Sequence, residues 1–256
     1  MNRIEVLFTA KKKNILSVYF TAGFPHLDSV EEIILSLEKN GADMIETGIP
    51  FSDPLADGPV IQETSRTALG NGMSISNLFS QIRNIREKTN IPLLLMGYLN
   101  PVLQYGFEKF CHEASLCGID GLIIPDLPMD EFIRDYKEIS LRHGITNIFL
   151  VTPDTSEERI REIDNNSSGF IYMVSSASTT GKTNEFSERH ISYFRKIAEL
   201  KLQNPVLAGF GIFNRKTREQ ASAHVNGVII GSAYVKALSD GRSIEEATKN
   251  FFRSLL

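Results

Sequence analysis

Residues 15–48 read ILSVYFTAGFPHLDSVEEIILSLEKNGADMIETG, and this stretch decides the fold. Two short apolar runs, Ile15–Phe20 and Asp43–Gly48, predict strands on either side of Ser29–Asn40. Within Ser29–Asn40 the apolar residues recur at spacings of three and four, which is typical of an amphipathic helix. Gly41 then ends the helix, as glycine often does. The stretch therefore predicts one βαβ unit of a parallel sheet.

The same unit recurs along the chain. The predicted strands are Ile15–Phe20, Asp43–Gly48, Pro92–Gly97, Gly121–Ile124, Asn147–Val151, Gly169–Val174, Pro205–Gly209 and Gly227–Ile230. Their nearly continuous apolar runs are expected for strands that are covered on both faces. Eight strands in this order, each leading to a helix, predict an α/β fold of the closed (β/α)8 (TIM) barrel type. The length of 256 residues fits one such barrel.

Helical spacing also marks the segments between and around the strands, at Glu131–His143, Glu188–Leu202 and Glu245–Leu256. Asn2–Lys11 predicts an extra N-terminal helix that covers the bottom of the barrel. Because no linker, low-complexity tract or shift in composition interrupts the chain, we expect a single domain over residues 1–256.

Composition excludes several classes of function. The net charge of −4 offers no electrostatic reason to expect binding to nucleic acid or to an anionic membrane. No apolar run approaches the roughly 18 residues of a membrane span. Cys111 and Cys117 fall within one predicted helix, where a structural disulfide is not expected. Charged residues stand where the apolar region of a signal peptide would begin, and we therefore expect a cytoplasmic protein.

In barrels of this type the active site lies at the C-terminal ends of the strands. Glu46 lies near that end of an otherwise apolar strand, where burial is expected to raise its pKa, as suits a general acid or base. A structural glutamate held by an ion pair is the alternative. Asp57 follows in a proline-rich loop and has either a catalytic role or a purely structural one in a turn.

A second group of residues follows the last three predicted strands. These loops contain Thr179–Gly181, Gly209–Gly211 and the pair Gly231 and Ser232. Glycine lets the backbone approach an anion closely, and a helix N-terminus favours negative charge. Together the loops predict a phosphate site. Tyr172 lies in the sixth strand, on the same face as Val174, and that face points into or out of the barrel.

Two further kinds of chemistry are not indicated. The five histidines show no paired spacing typical of metal ligands, so no metal site is expected. Lys182 lies in a polar loop rather than at the buried strand position that a Schiff-base lysine needs.

The segment Pro50–Pro59, PFSDPLADGP, closely resembles the signature of the tryptophan synthase alpha subunit family. The resemblance extends to Thr21–Pro25, to Pro125–Pro128 and to the three predicted phosphate loops, and so it runs through essentially the whole chain. In the loop after the sixth strand, Ser178 stands where the family usually has glycine, whereas Thr180 and Gly181 are kept.

The resemblance implies a lyase that cleaves indole-3-glycerol phosphate to indole and glyceraldehyde 3-phosphate without a cofactor. It implies Glu46 and Asp57 as the catalytic pair, with Tyr172 nearby. The implied substrate contacts are Phe24 and Ile61 beside the indole, and Thr180, Gly181, Gly211, Gly231 and Ser232 at the phosphate. The implied partner is the beta subunit, which contains pyridoxal phosphate, in an α2β2 assembly.

The residues fit this chemistry independently of the resemblance. A carboxyl group of raised pKa can protonate the ring and then accept the proton of the glycerol hydroxyl, and a second carboxylate can stabilise the cationic ring. Three alternatives remain at this point. They are another barrel enzyme with a phosphorylated substrate, a stand-alone indole-3-glycerol phosphate lyase, and a subunit of low activity that binds phosphate and activates its partner.

Overall fold

A computed structural model describes residues 2–174 and 185–255. Its strands are β1 (Ile15–Thr21), β2 (Met44–Gly48), β3 (Leu93–Met96), β4 (Gly121–Ile123), β5 (Thr146–Ile148), β6 (Leu150–Val151), β7 (Ile171–Val174), β8 (Val206–Gly209) and β9 (Gly227–Ile230). They form one sheet in the order β5-β4-β3-β2-β1-β9-β8-β7-β6, and every pair is parallel. The two end strands follow each other in the chain, so the sheet curls into a nearly closed barrel. The predicted (β/α)8 fold is confirmed.

One predicted strand is wrong as drawn. Asn147–Val151 was expected to be continuous, but the chain forms β5 and β6 with a break at Phe149. The break lies where the segment changes neighbours, because β5 pairs with β4 and β6 pairs with β7. The carbonyl of Phe149 accepts a hydrogen bond of 3.0 Å from the amide of Tyr172. The fifth predicted strand is thus present as two short strands.

Helices surround the sheet. They are α1 (Arg3–Ala10), α2 (Val30–Asn40), α3 (Pro59–Gly70), α4 (Ile75–Ile82), α5 (Leu99–Tyr105), α6 (Phe107–Leu116), α7 (Met129–Glu131), α8 (Lys137–Arg142), α9 (Glu157–Asn166), α10 (Glu188–Glu199), α11 (Arg215–Ser222), α12 (Ser232–Leu238) and α13 (Ile244–Leu255). A 3-10 turn at Ile85–Glu87 precedes β3. None of the helices in residues 2–174 and 185–255 is long and apolar enough to cross a membrane.

Most predicted helices are confirmed, with shifted ends. The predicted Glu131–His143 instead begins at Met129, and a π-helical turn at Phe132–Tyr136 separates α7 from α8. Its extra residue per turn is a local departure from the helical period that the sequence pattern assumes. The predicted Glu188–Leu202 ends three residues early, at Glu199.

The predicted extra helix, α1, closes the bottom of the barrel. Its side chains Ile4 and Phe8 join the cluster of apolar residues inside the barrel. Burying each of them stabilises the fold by roughly 1.5–3 kcal/mol. Asp120, 3 % exposed, holds this end in place, since it pairs with Arg3 at 3.1 Å and with Arg86 at 2.8 Å. The bottom of the barrel thus contributes to stability, and functional residues are expected at the opposite rim.

Strand residues alternate between two apolar layers. Tyr172 and Val174 belong to the cluster inside the barrel, whereas Ile171 and Met173 belong to the layer between strands and helices. The face that Tyr172 shares with Val174 is therefore the interior one. Cys111 and Cys117 are both free and buried in the outer layer.

Candidate active site

A cavity of about 800 Å³ opens at the C-terminal rim of the strands. Six residues predicted from the sequence line it, namely Asp57, Ile61, Tyr172, Gly211, Gly231 and Ser232. They come from the loop after β2, from α3, from β7 and from the turns after β8 and β9. The rim therefore gathers residues that are far apart in the chain, as expected for a parallel barrel.

Glu46 lies on β2, points into the barrel and is completely buried. The Ser17 hydroxyl on β1 donates a hydrogen bond of 2.7 Å to its Oε1 atom. Its Oε2 atom is buried without a hydrogen-bond partner among the described residues. Burial raises the pKa of Glu46 to about 8, and the Ser17 hydrogen bond only partly opposes this rise. No ion pair of Glu46 occurs within residues 2–174 and 185–255, so the described residues do not support the structural alternative.

Asp57 reaches the cavity from the loop between β2 and α3. The hydroxyl of Tyr98 donates a hydrogen bond of 3.1 Å to its Oδ2 atom. Burial raises the pKa of Asp57 to about 6, while the Tyr98 hydrogen bond lowers it. At neutral pH most of this carboxyl group is ionised, whereas most of Glu46 is protonated.

Two tyrosines at the cavity interact electrostatically with both carboxyl groups. Tyr19 on β1 and Tyr172 on β7 both line the cavity, and burial raises the pKa of each hydroxyl above its usual range. Glycines on the neighbouring strands make room for them. A Cβ atom at Gly48 would collide with the Tyr19 hydroxyl, and one at Gly209 would collide with the Tyr172 hydroxyl.

The far end of the cavity has backbone suited to an anion. Phe210 and Gly211 follow β8 with φ values of 66° and 74°, in the left-handed region. Gly231 precedes α12, and Ser232 is the first residue of that helix. Such turns point backbone N–H groups at a ligand. Thr180 and Gly181, which were predicted to complete this end, lie outside the described residues, as do Ser178 and Lys182.

The two residues expected beside an indole ring are placed differently. Ile61 lines the cavity, as expected. Phe24 is buried in the same apolar cluster as Ile61 and, like Glu46, is not among the lining residues, so its contact with the ring stays a prediction. Tyr19 also provides an aromatic ring at the cavity.

Sequence reasoning missed Tyr19 and Tyr98. Alternation in β1 is a signal for Tyr19, because it shares a face with Ser17, which bonds the buried Glu46. Nothing in the sequence marks Tyr98, whose role depends on how the loop carrying Asp57 folds back. In the described part of the chain, no group of three or more His, Cys, Asp or Glu side chains is placed to hold a metal ion.

Comparison with known proteins agrees with this geometry. A family model described as tryptophan synthase alpha chain matches residues 7–254. The tryptophan synthase alpha chain of Parabacteroides distasonis is 55% identical over 100% of this chain and 99% of its own length. The crystal structure of the alpha subunit from Legionella pneumophila superimposes with a TM-score of 0.88 at 32% identity, covering 100% of this chain and 97% of that one. The tryptophan synthase complex from Pyrococcus furiosus contains a chain that matches with a TM-score of 0.86 at 34% identity, covering 96% and 98%.

The fold and the site define a (β/α)8-barrel lyase with two carboxyl groups at the mouth of the barrel. The chain belongs to the tryptophan synthase alpha chain family, whose reaction is the cleavage of indole-3-glycerol phosphate.

Proposed function

We propose that Glu46 and Asp57 carry out this cleavage as a protonated acid and an ionised carboxylate. The observation that carries the proposal is the difference between their environments. Glu46 is completely buried with a pKa of about 8, and Asp57 is hydrogen-bonded at the cavity wall with a pKa of about 6. Two carboxyl groups held in opposite protonation states divide the roles of acid and electrostatic stabiliser.

The reaction needs one proton to move from oxygen to carbon. Glu46 first gives its proton to ring carbon C3, and the ring becomes an indolenine cation that the Asp57 carboxylate stabilises at the ring nitrogen. The Glu46 carboxylate then accepts the proton of the 3′-hydroxyl. The bond between C3 and the glycerol carbon breaks, its electron pair returns to the ring, and the hydroxyl carbon becomes the aldehyde. Glu46 ends protonated and ready for the next cycle.

The cavity has a place for each end of the substrate. Ile61, Tyr19 and Tyr172 provide apolar and aromatic surface for the indole, while Gly211 and the N-terminus of α12 accept the phosphate. By resemblance we add Thr180 and Gly181 to the phosphate contacts.

An assay of indole release from indole-3-glycerol phosphate tests the proposal. We expect kcat/KM to follow a bell-shaped pH profile, because Asp57 must be ionised and Glu46 protonated in the free enzyme. The acid limb should lie near pH 6 and the basic limb near pH 8. Thermal stabilisation by glycerol 3-phosphate without indole release would instead support the phosphate-binding subunit of low activity.

We further propose that the chain works with a beta subunit in an α2β2 assembly in the cytoplasm, and that residues 1–256 act as one domain. The loop that carries Asp57 supports the partnership. Leu55 in this loop is 91 % exposed, which is unusual for a leucine beside an active site. A partner that covers Leu55 would favour the closed loop and so raise kcat.

Pro54→Gly provides the test of this coupling. Because glycine increases the conformational freedom of the loop when no partner covers it, the variant should lose more of the activation by the beta subunit than of its basal turnover. Activation is commonly about 5–150-fold in coupled systems. Equal indole release with and without a beta subunit, unchanged by Pro54→Gly, would favour the stand-alone lyase.

A further inference from the structure

We propose that Tyr98 is the positioning residue of the site: its hydroxyl ties the loop to the barrel and occupies one carboxylate oxygen of Asp57, leaving the other for the indole N–H. This inference rests on the proposed role of Asp57. Tyr98 itself lies beside the cavity rather than among its lining residues.

The hydrogen bonds of Tyr98 have only one consistent direction. The amide of Ala56 donates to the Tyr98 oxygen at 2.9 Å, because a backbone N–H can only act as a donor. The single phenolic proton then points to Asp57 Oδ2, 3.1 Å away. A chain of donors in one direction is polarised along its length, which strengthens its last member. The Tyr98 hydroxyl therefore donates its proton to the Asp57 carboxylate, and this hydrogen bond stabilises the ionised form of Asp57.

Tyr98 is itself held firmly. It is 9 % exposed, and its ring packs on Phe51 with centroids 5.3 Å apart. The next residue, Leu99, donates its amide to the Asp126 carboxylate at 2.9 Å, which fixes the start of α5. Tyr98 thus joins the loop after β2 to the segments after β3 and β4.

At the start of the loop, the amide of Ile49 donates to the carbonyl of Met96 in β3 at 2.7 Å. The described hydrogen bonds nearer Asp57, apart from those of Tyr98, do not reach the strands. Asp57 donates its amide to the carbonyl of Pro54 at 3.0 Å, and Gln62 of α3 donates to the carbonyl of Asp57 at 2.9 Å. Both bonds fix the loop to itself or to the helix that follows. Among the described residues, Tyr98 makes the side-chain hydrogen bonds that connect this loop to the barrel.

The groups that face Asp57 leave its charge to be set mainly by burial and by Tyr98. Burial, and to a smaller extent the charge of Asp57, raises the pKa of Tyr19 on β1 and of Tyr172 on β7. Both hydroxyls therefore stay neutral between pH 6 and pH 8. Glu46 on β2 is protonated until about pH 8. The titratable or charged groups further along the cavity are Glu185, His190, Lys236, Asp240 and Arg242.

Tyr98→Phe is the decisive variant, because it removes the hydroxyl and keeps the ring. Loss of a hydrogen bond to the ionised form should move the acid limb of kcat/KM upward by about one pH unit, from near pH 6 to near pH 7. Activity at pH 6 should fall about fivefold, and much of it should return at pH 7.5, where Asp57 is again ionised. The loss should appear in kcat more than in KM, and glycerol 3-phosphate should bind as in the unmodified chain.

Phe51→Leu is the matched control. It removes the ring that packs on Tyr98 but retains the hydroxyl, so its acid limb should stay near pH 6. A purely structural role of Tyr98 would lower activity equally at every pH and would overturn the proposal, as would an unshifted limb in Tyr98→Phe.

Asp57→Asn distinguishes a failure of the proposed role of Asp57 from a failure of the proposed role of Tyr98. If the acid limb persists in Asp57→Asn, the proposed role of Asp57 fails; if it disappears there but does not move in Tyr98→Phe, only the role of Tyr98 fails.

Discussion

Replacing Glu46 by glutamine should abolish activity and at the same time change how the stability of the protein depends on pH. In the unfolded chain this carboxyl group has its ordinary pKa of 4.5, whereas in the folded protein burial raises the pKa to about 8. Between these values the folded state retains a proton that the unfolded state has released. Stability from this group is therefore lost as pH rises from about 4.5 to about 8.

The size of the effect follows from the two pKa values. At about 1.4 kcal/mol per pKa unit, burial of Glu46 destabilises the fold by about 3 kcal/mol at pH 7, and by less than about 1 kcal/mol at pH 5. Glutamine carries no such penalty, and its oxygen still accepts the Ser17 hydroxyl. The NH2 group of the glutamine takes the position of Oε2, where its donors are buried without a partner, and this costs about 1–3 kcal/mol at every pH. The free energy of unfolding of Glu46→Gln, relative to the unmodified chain, should therefore rise by about 2–3 kcal/mol between pH 5 and pH 7.

Urea unfolding at several pH values between 5 and 8 measures this difference, and the indole-release assay should show a loss of at least about 100-fold. Glu63→Gln is the control, because Glu63 lies exposed in a surface ion pair with Arg66. Its stability curve should run parallel to that of the unmodified chain. Parallel curves for Glu46→Gln as well would refute a protonated Glu46, and near-full turnover would refute its catalytic role.

Three further changes test other parts of the structure. Gly211→Val should raise the KM for substrate and weaken binding of glycerol 3-phosphate in calorimetry, because a φ of 74° disfavours a β-branched residue; unchanged binding would place the anion elsewhere. Asp120→Ala should cost about 3–5 kcal/mol in urea unfolding, since it removes the buried acceptor of half-buried Arg86 and of the Leu93 amide, whereas Glu63→Ala at the surface should cost less than about 1 kcal/mol. Gly48→Ala should destabilise the chain by about 1–3 kcal/mol by colliding with the Tyr19 hydroxyl and ring, and it should cost less in a Tyr19→Leu background, which lacks the colliding atoms; an equal cost in both backgrounds would mean that the clash lies elsewhere.

Local pattern was sufficient for the architecture. Apolar runs that alternate with helical spacing predicted the parallel barrel, because each run reports which faces of its own segment must be buried. The same reasoning placed Glu46 in a buried strand and put Tyr172 on the face of Val174, and both positions agree with the structure. The resemblance carried by Pro50–Pro59 then supplied the family, and with it the reaction.

The tertiary structure decided matters that depend on residues far apart in the chain. The break at Phe149 arises because one segment pairs with two different neighbours, which no local period records. Tyr19 reaches the cavity, whereas Phe24, on the turn that follows β1, is buried and does not line it. The charges of the carboxyl groups likewise depend on burial in the folded barrel, and then on partners that are distant in the chain, Ser17 for Glu46 and Tyr98 for Asp57. The sequence alone determined which residues are able to do the chemistry; burial and hydrogen bonding in the folded barrel determined their protonation states, because solvation and electrostatic interactions depend on distance in space rather than along the chain.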